Sequence, residues 1–116
     1  MLTVKGTDIH LTKGDTGYLY LNITDENNNK YIIKDGDTAT ITVKSTQGTK
    51  IFSHTVPANE AFIIEPNDTA DAGIGRYKYD IQLNTANNEV FTIIPVSSFF
   101  IEEGVTEWAR LRLKIN

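Results

Sequence analysis

The sequence predicts an all-β fold, an antiparallel two-sheet β-sandwich of immunoglobulin-like or Greek-key type, and three observations carry that expectation. Periodic segments are short and rich in β-branched and aromatic residues. Gly, Asn, Asp and Pro separate them. Within them apolar residues recur at every second position: in "GRYKYDIQL", Gly75 to Leu83, the residues Tyr77, Tyr79, Ile81 and Leu83 alternate with Arg76, Lys78, Asp80 and Gln82. Nine strands are expected, near 7–11, 16–24, 30–33, 38–45, 50–56, 61–64, 75–83, 89–94 and 97–102. Nine are too many for one open layer with a single wet face, which is why two packed sheets are expected. The 116 residues match the commonest domain size, so one domain is expected, with a core over about 7–102 and a terminal strand or linker over 105–116.

In the second strand Leu19, Leu21 and Ile23 point one way and Tyr18, Tyr20 and Asn22 the other. In the fourth, Ala39, Ile41 and Val43 oppose Thr38, Thr40, Thr42 and Lys44. The expected buried set is Leu19, Leu21, Ile41, Val43, Tyr79, Ile81 and Leu83. Gln47-Gly48 and Thr85 to Asn88 are hairpin signals, since Gly and Asn accept the left-handed backbone of tight turns. Gly14-Asp15-Thr16 and Gly36-Asp37-Thr38 each precede a strand. In both, Gly permits a positive φ and Asp is expected to accept a hydrogen bond from the backbone two residues on. Asn67 to Gly73 can form one helical turn capped by Asn67 or Asp68. Tyr77, just after it, is the candidate for a tyrosine corner, whose hydroxyl bonds back to upstream backbone.

Fifteen acids against eleven bases, scattered along the chain, give a net charge of -4, without the basic footprint of a nucleic-acid binder. No run of 18 apolar residues suggests a membrane span, and no signal-peptide stretch opens the chain. Nucleic acid and membrane are therefore not expected partners. Cysteine is absent, so disulfides, thiolate metal sites and a cysteine nucleophile are excluded.

Catalytic and metal chemistry find little purchase. His10, expected to face outward, and His54 stand far apart without an acid-rich partner motif and are expected to be surface or satisfied structural histidines. Asp25 to Lys30 begins like a calcium loop, but Lys30 stands where that loop needs Gly and Gly36 where it needs Glu, so a hairpin tip is expected. None of the serines at 45, 53, 97 and 98 lies in a nucleophile elbow. Asp80 shares an outward face with Lys78 and Arg76, and ion pairing is its expected role. No catalytic, cofactor-binding or metal-binding residue is expected.

Three segments are apolar on both faces: Ala61 to Ile64, Val90 to Ile94 and Phe99 to Ile101. In a small domain that pattern predicts apolar surface meeting another chain. At the carboxy end, Val105 to Asn116 reads as a strand setting Ala109, Leu111, Leu113 and Ile115 against Trp108, Arg110, Arg112 and Lys114, or as a helix capped by Thr106; the strand is favoured. The expected interaction surface is accordingly Phe62, Ile64, Phe91, Ile93, Phe100, Trp108, Arg110 and Arg112.

Taken in order, "LTKGDTGYLYLNITDENNNKYIIKDGDTATITV", "NDTADAGIGRYKYDIQL", "EVFTIIP" and "FFIEEGVTE" resemble the amino-terminal domain of baseplate upper proteins in tailed phages of Gram-positive bacteria, over about residues 7–107. The Gly-Asp-Thr turn at 14–16, Asp-Gly-Asp-Thr at 35–38, Asp68-Thr69 and Gly75 to Leu83 are the specific parts. The resemblance implies a β-sandwich that attaches a host-recognition module, or its holder, to the tail tip in several copies. Its partners would be other baseplate or receptor-binding proteins, its location the virion tail after synthesis in the bacterial cytoplasm, and its role non-enzymatic. Family members usually continue into helical and carboxy-terminal parts, whereas this sequence stops at Asn116. A carbohydrate-binding module is the alternative, with Tyr18, Tyr20, Tyr31 and Trp108 as stacking residues. An immunoglobulin-like spacer, which would be monomeric, is a third.

Overall fold

The structure, a computed structural model, describes residues 1–104. The elements are β1 (Leu2–Lys5), β2 (Asp8–Thr12), β3 (Gly17–Leu19), β4 (Thr38–Lys44), β5 (Lys50–Pro57), β6 (Phe62–Ile64), α1 (Pro66–Ala70), β7 (Gly75–Asn84) and β8 (Val90–Glu102). The chain is mostly β, as its composition predicts. Six strands form a mixed sheet in the order β1-β2-β8-β7-β4-β5, and β3 pairs with β6 in a two-stranded sheet.

An all-antiparallel arrangement does not hold. β2 runs parallel to β8, with Ile9 opposite Phe99 and Leu11 opposite Ile101. A parallel pair needs a long connection, and here nearly the whole chain lies between the partners, so no local hairpin signal announces it. The two predicted hairpins are present. Asn88 donates to the Thr85 carbonyl at 3.0 Å and Gly48 to the Ser45 carbonyl at 2.9 Å, with φ of 65° at Asn88 and 97° at Gly48.

The alternating patterns translate directly into burial. Ala39, Ile41, Val43, Tyr79, Ile81 and Leu83 are buried, and Leu19, Phe62 and Ile64 of the small sheet join Ile41, Val43, Phe52, Phe99 and Ile101 of the large one in a single core. Leu21 is only half-buried, because β3 ends at Leu19 and the chain beyond it has no strand partner. A second cluster of Ile23, Ala58 and Leu83, with Tyr31 and Ile33 packed on it, closes the end of the sheet near Thr38. Residues 30–33 are therefore not a strand: their alternation buries Tyr31 and Ile33 in part, but only a single bridge, Thr24 to Lys30, forms there.

Two further differences have physical causes. The segments expected as separate strands at 89–94 and 97–102 are one strand, β8, broken in register beside Ile81 and Asp80. Pro95 falls at the second irregularity, where β8 pairs only with β7, which is where a sheet tolerates proline. The unforeseen β1 has one half-buried residue, Leu2, and so carries no alternation to read.

Candidate interaction surface

Several loops are held by polar side chains at their bases. Asp37 is buried, and its carboxylate accepts from the Lys34 N–H and the Tyr31 hydroxyl on one oxygen and from the Ala86 N–H on the other, each at 2.9 Å. Its own carbonyl accepts from the Ala58 N–H at 2.9 Å. One residue thus ties the loops before β4, after β5 and after β7. The backbone donors at Lys34 and Ala86 hold this carboxyl below its usual range. The hydrogen bond to Asp37 raises the Tyr31 phenol, with burial adding to it. The expected bond from two residues ahead is absent: Asp37 reaches back three residues and across 49.

A second tie links the Gly14 turn to α1. Thr69 is fully buried and accepts from the Gly14 N–H at 3.0 Å. Asp68, at the third helical position, accepts from the Glu65 N–H at 2.7 Å and meets His54 Nε2 at 2.7 Å. The cap of this turn is therefore Glu65 and not Asn67 or Asp68, because Pro66 fits the first helical position. Tyr77 makes the predicted corner, donating to the Gly73 carbonyl at 2.7 Å. Burial, then the nearby Asp8 carboxylate, pushes the Tyr79 phenol up to about 12; its hydroxyl donates to the Thr7 carbonyl.

The remaining candidate chemistry resolves into structure. His10 stacks on Phe100 at 4.6 Å between ring centres, and its Nδ1 lies 2.9 Å from Glu102. Asp25 accepts from the N–H groups of Asn27 and Asn29 in the tip of a turn. Among the described residues no group of three His, Cys, Asp or Glu stands close enough to hold a metal ion. A concavity of about 620 Å³ runs between Leu19 to Glu26, the β1–β2 turn and Thr92 to Ile94, over a floor that includes Ile81 and Tyr79.

The expected interaction residues divide. Phe62 and Ile64 are 0% exposed and belong to the core: both faces of β6 are apolar, but these two point at the large sheet while Ile63 faces out. Phe91 is half-exposed, Ile93 half-buried, and Phe100 is half-buried beneath His10. Trp108, Arg110 and Arg112 lie outside the described residues. Of the proposed stacking residues, Tyr18 and Tyr20 are exposed, whereas Tyr31 is half-buried with its hydroxyl committed to Asp37, and Trp108 again lies outside the described residues.

Exposed apolar side chains do gather, at positions only partly foreseen. On the outer face of the small sheet Tyr18 stands directly opposite Ile63. Along β8, Val90, Phe91 and Val96 are exposed, Val96 at 69%. For Ile63, Val90 and Phe91 the signal was the doubly apolar run, though periodicity alone could not tell which half of each run faces out; Tyr18 and Val96 lie outside those runs. Asp80 lies on the polar face of the large sheet opposite Thr42, and no ion pair joins it to Lys78. Comparison with family models, curated proteins and solved structures finds no match for this chain.

Proposed function

We propose that this domain is a structural part of a phage or prophage tail baseplate, anchoring the host-recognition (receptor-binding) apparatus to the tail through protein–protein contacts. It works as a two-sheet β-sandwich of immunoglobulin-like or Greek-key type, in several copies in the virion tail, after synthesis in the bacterial cytoplasm, and it is not an enzyme. The single observation that carries the reading is the exposed apolar surface on strands, Tyr18 and Ile63 on one sheet and Val90, Phe91 and Val96 on the other, of the kind that marks contact with other chains. The resemblance to baseplate upper proteins adds to it. The turns that carry that likeness, at Gly14, Asp37 and Asp68-Thr69, are the ones that tie loops to one another, as a rigid attachment module requires.

Exposure of Tyr18 and Tyr20 favours a second reading, a carbohydrate-binding module in which these rings stack on sugars. Solution mass together with glycan titration separates the two. Oligomers without saturable glycan binding are expected. A monomer whose glycan binding is lost in Tyr18→Ala and Tyr20→Ala overturns the attachment reading.

A further inference from the structure

On the polar face of the six-stranded sheet Lys44 stands directly opposite Lys78 on β7, and across a ladder irregularity next to Val43 it is also paired with Lys50 on β5. Side chains paired in this way have Cβ atoms about 4.5–5.5 Å apart, and like charges so placed destabilise a sheet. No ion pair among the described residues involves any of the three. Arg76 shares their face, its Nε donating to Ser98 at 3.0 Å, and Ser98 is in turn the partner of Lys78 on β8. Residues 1–104 hold eight basic side chains against fourteen acids, and half of those bases are in this one cluster. Two acids lie beside it, Asp80 on the same face and Asp8 in the depression lined by Arg76 and Lys78.

The ground between these cations is shaped. Two depressions, of about 390 and 490 Å³, share Lys78 and Val96 in their walls; Lys44 and Asp80 line the first, Arg76 and Ser98 the second. Val96 is lifted out of the ladder at the β8 irregularity and is exposed. An apolar knob ringed by cations, hydroxyls and the carboxylates of Asp80 and Asp8 has the anatomy of a small protein interface, with a dry centre and a polar rim.

β4 runs from this cluster at Lys44 to Thr38 at the far end of the sheet, where the charge has the opposite sign. There Asp37 ties together three loops that carry exposed Asp35, Glu60 and Glu89 against one exposed base, Lys34, beside exposed Val90 and Phe91. Apolar residues again stand among charges.

We propose that the Lys44–Lys50–Lys78 row with Val96 is a docking surface for a second copy of this chain, which presents its Asp35, Glu60 and Glu89 end. Resting on the attachment reading above, the inference adds which surfaces meet. The contact joins two different patches, so it propagates from copy to copy and closes into a ring if the rotation allows. Opposite charges steer and fix the register, and Val96 supplies the apolar anchor.

The test is sedimentation of the full chain between about 0.01 and 1 M salt, a range over which the Debye length falls from about 30 to 3 Å. Two double variants accompany it, Lys44→Glu with Lys78→Glu, and Glu60→Lys with Glu89→Lys, each checked for native folding by circular dichroism. The wild type is expected to associate at low salt and to weaken as salt rises. Each variant is expected to lose at least about tenfold in self-association, and the two mixed are expected to associate in equal proportions, because the retained acidic end and basic face match and so do the two charge-reversed patches. An oligomer indifferent to salt and to both variants overturns the inference and leaves the attachment reading standing. A monomer at every salt overturns this inference together with self-association in that reading, whether or not the basic face binds a polyanion such as polyglutamate.

Discussion

Asp37 bears more of the architecture than its place in a four-residue turn suggests. Three donors from two loops converge on its carboxylate, and the Asn side chain, with one acceptor oxygen and an NH₂ group, cannot receive them all. Because folding lowers its pKa from 3.8, its contribution is present above that value and is lost as pH falls through the lower value of the folded state. Asp37→Asn is therefore expected to melt at a lower temperature than the wild type at pH 7, with the difference shrinking steadily in acid. Thermal melts across that range check this, and a gap of constant size would refute it. Gly36 beside it has φ of +92°, and a Cβ there would lie 3.2 Å from that of Ala86. Gly36→Ala is expected to cost more than about 1 kcal/mol by chemical denaturation, since a side chain meets both an unfavourable backbone and a close neighbour.

At the level of elements, the small sheet depends on what its strands bury. β3 and β6 are three residues each and gain stability chiefly by setting Leu19, Phe62 and Ile64 against the large sheet. Phe62→Ala removes a fully buried ring and is expected to cost about 3–5 kcal/mol in urea unfolding; a loss below about 1 kcal/mol would mean that the small sheet is not held by this core. Strands with one wet face, β4 and β7, were legible to within one residue because their alternation fixes both register and burial. Doubly apolar β6 and β8 were legible as strands but not as to which side faces out, which is why Phe62 and Ile64 were expected on the surface. The parallel pairing of β2 with β8 and the unalternating β1 left no local pattern to read. The polar ties were legible as turns only. Gly14 and Gly36 announce a left-handed backbone, yet no spacing rule connects Gly14 to Thr69 or Asp37 to Ala86.

For the molecule as a whole, the proposal rests on exposed apolar and charged surface, and the residues that form it only partly match those expected from the sequence. Of the residues expected from apolar runs, Phe91 is exposed and Ile93 and Phe100 are half-buried, while Tyr18, Ile63, Val90 and Val96 are exposed besides. The cation row was hidden in the sequence because Lys44, Lys50 and Lys78 become neighbours only through pairing across β4, β5 and β7. A domain whose loops are locked from within and whose strands carry apolar and charged surface is suited to holding other chains in place. Sedimentation equilibrium of the native protein at several concentrations tests that claim most directly. A mass that is a multiple of 13.0 kDa is predicted; a single 13.0 kDa particle at every concentration, joined by saturable binding of a small ligand, would contradict it.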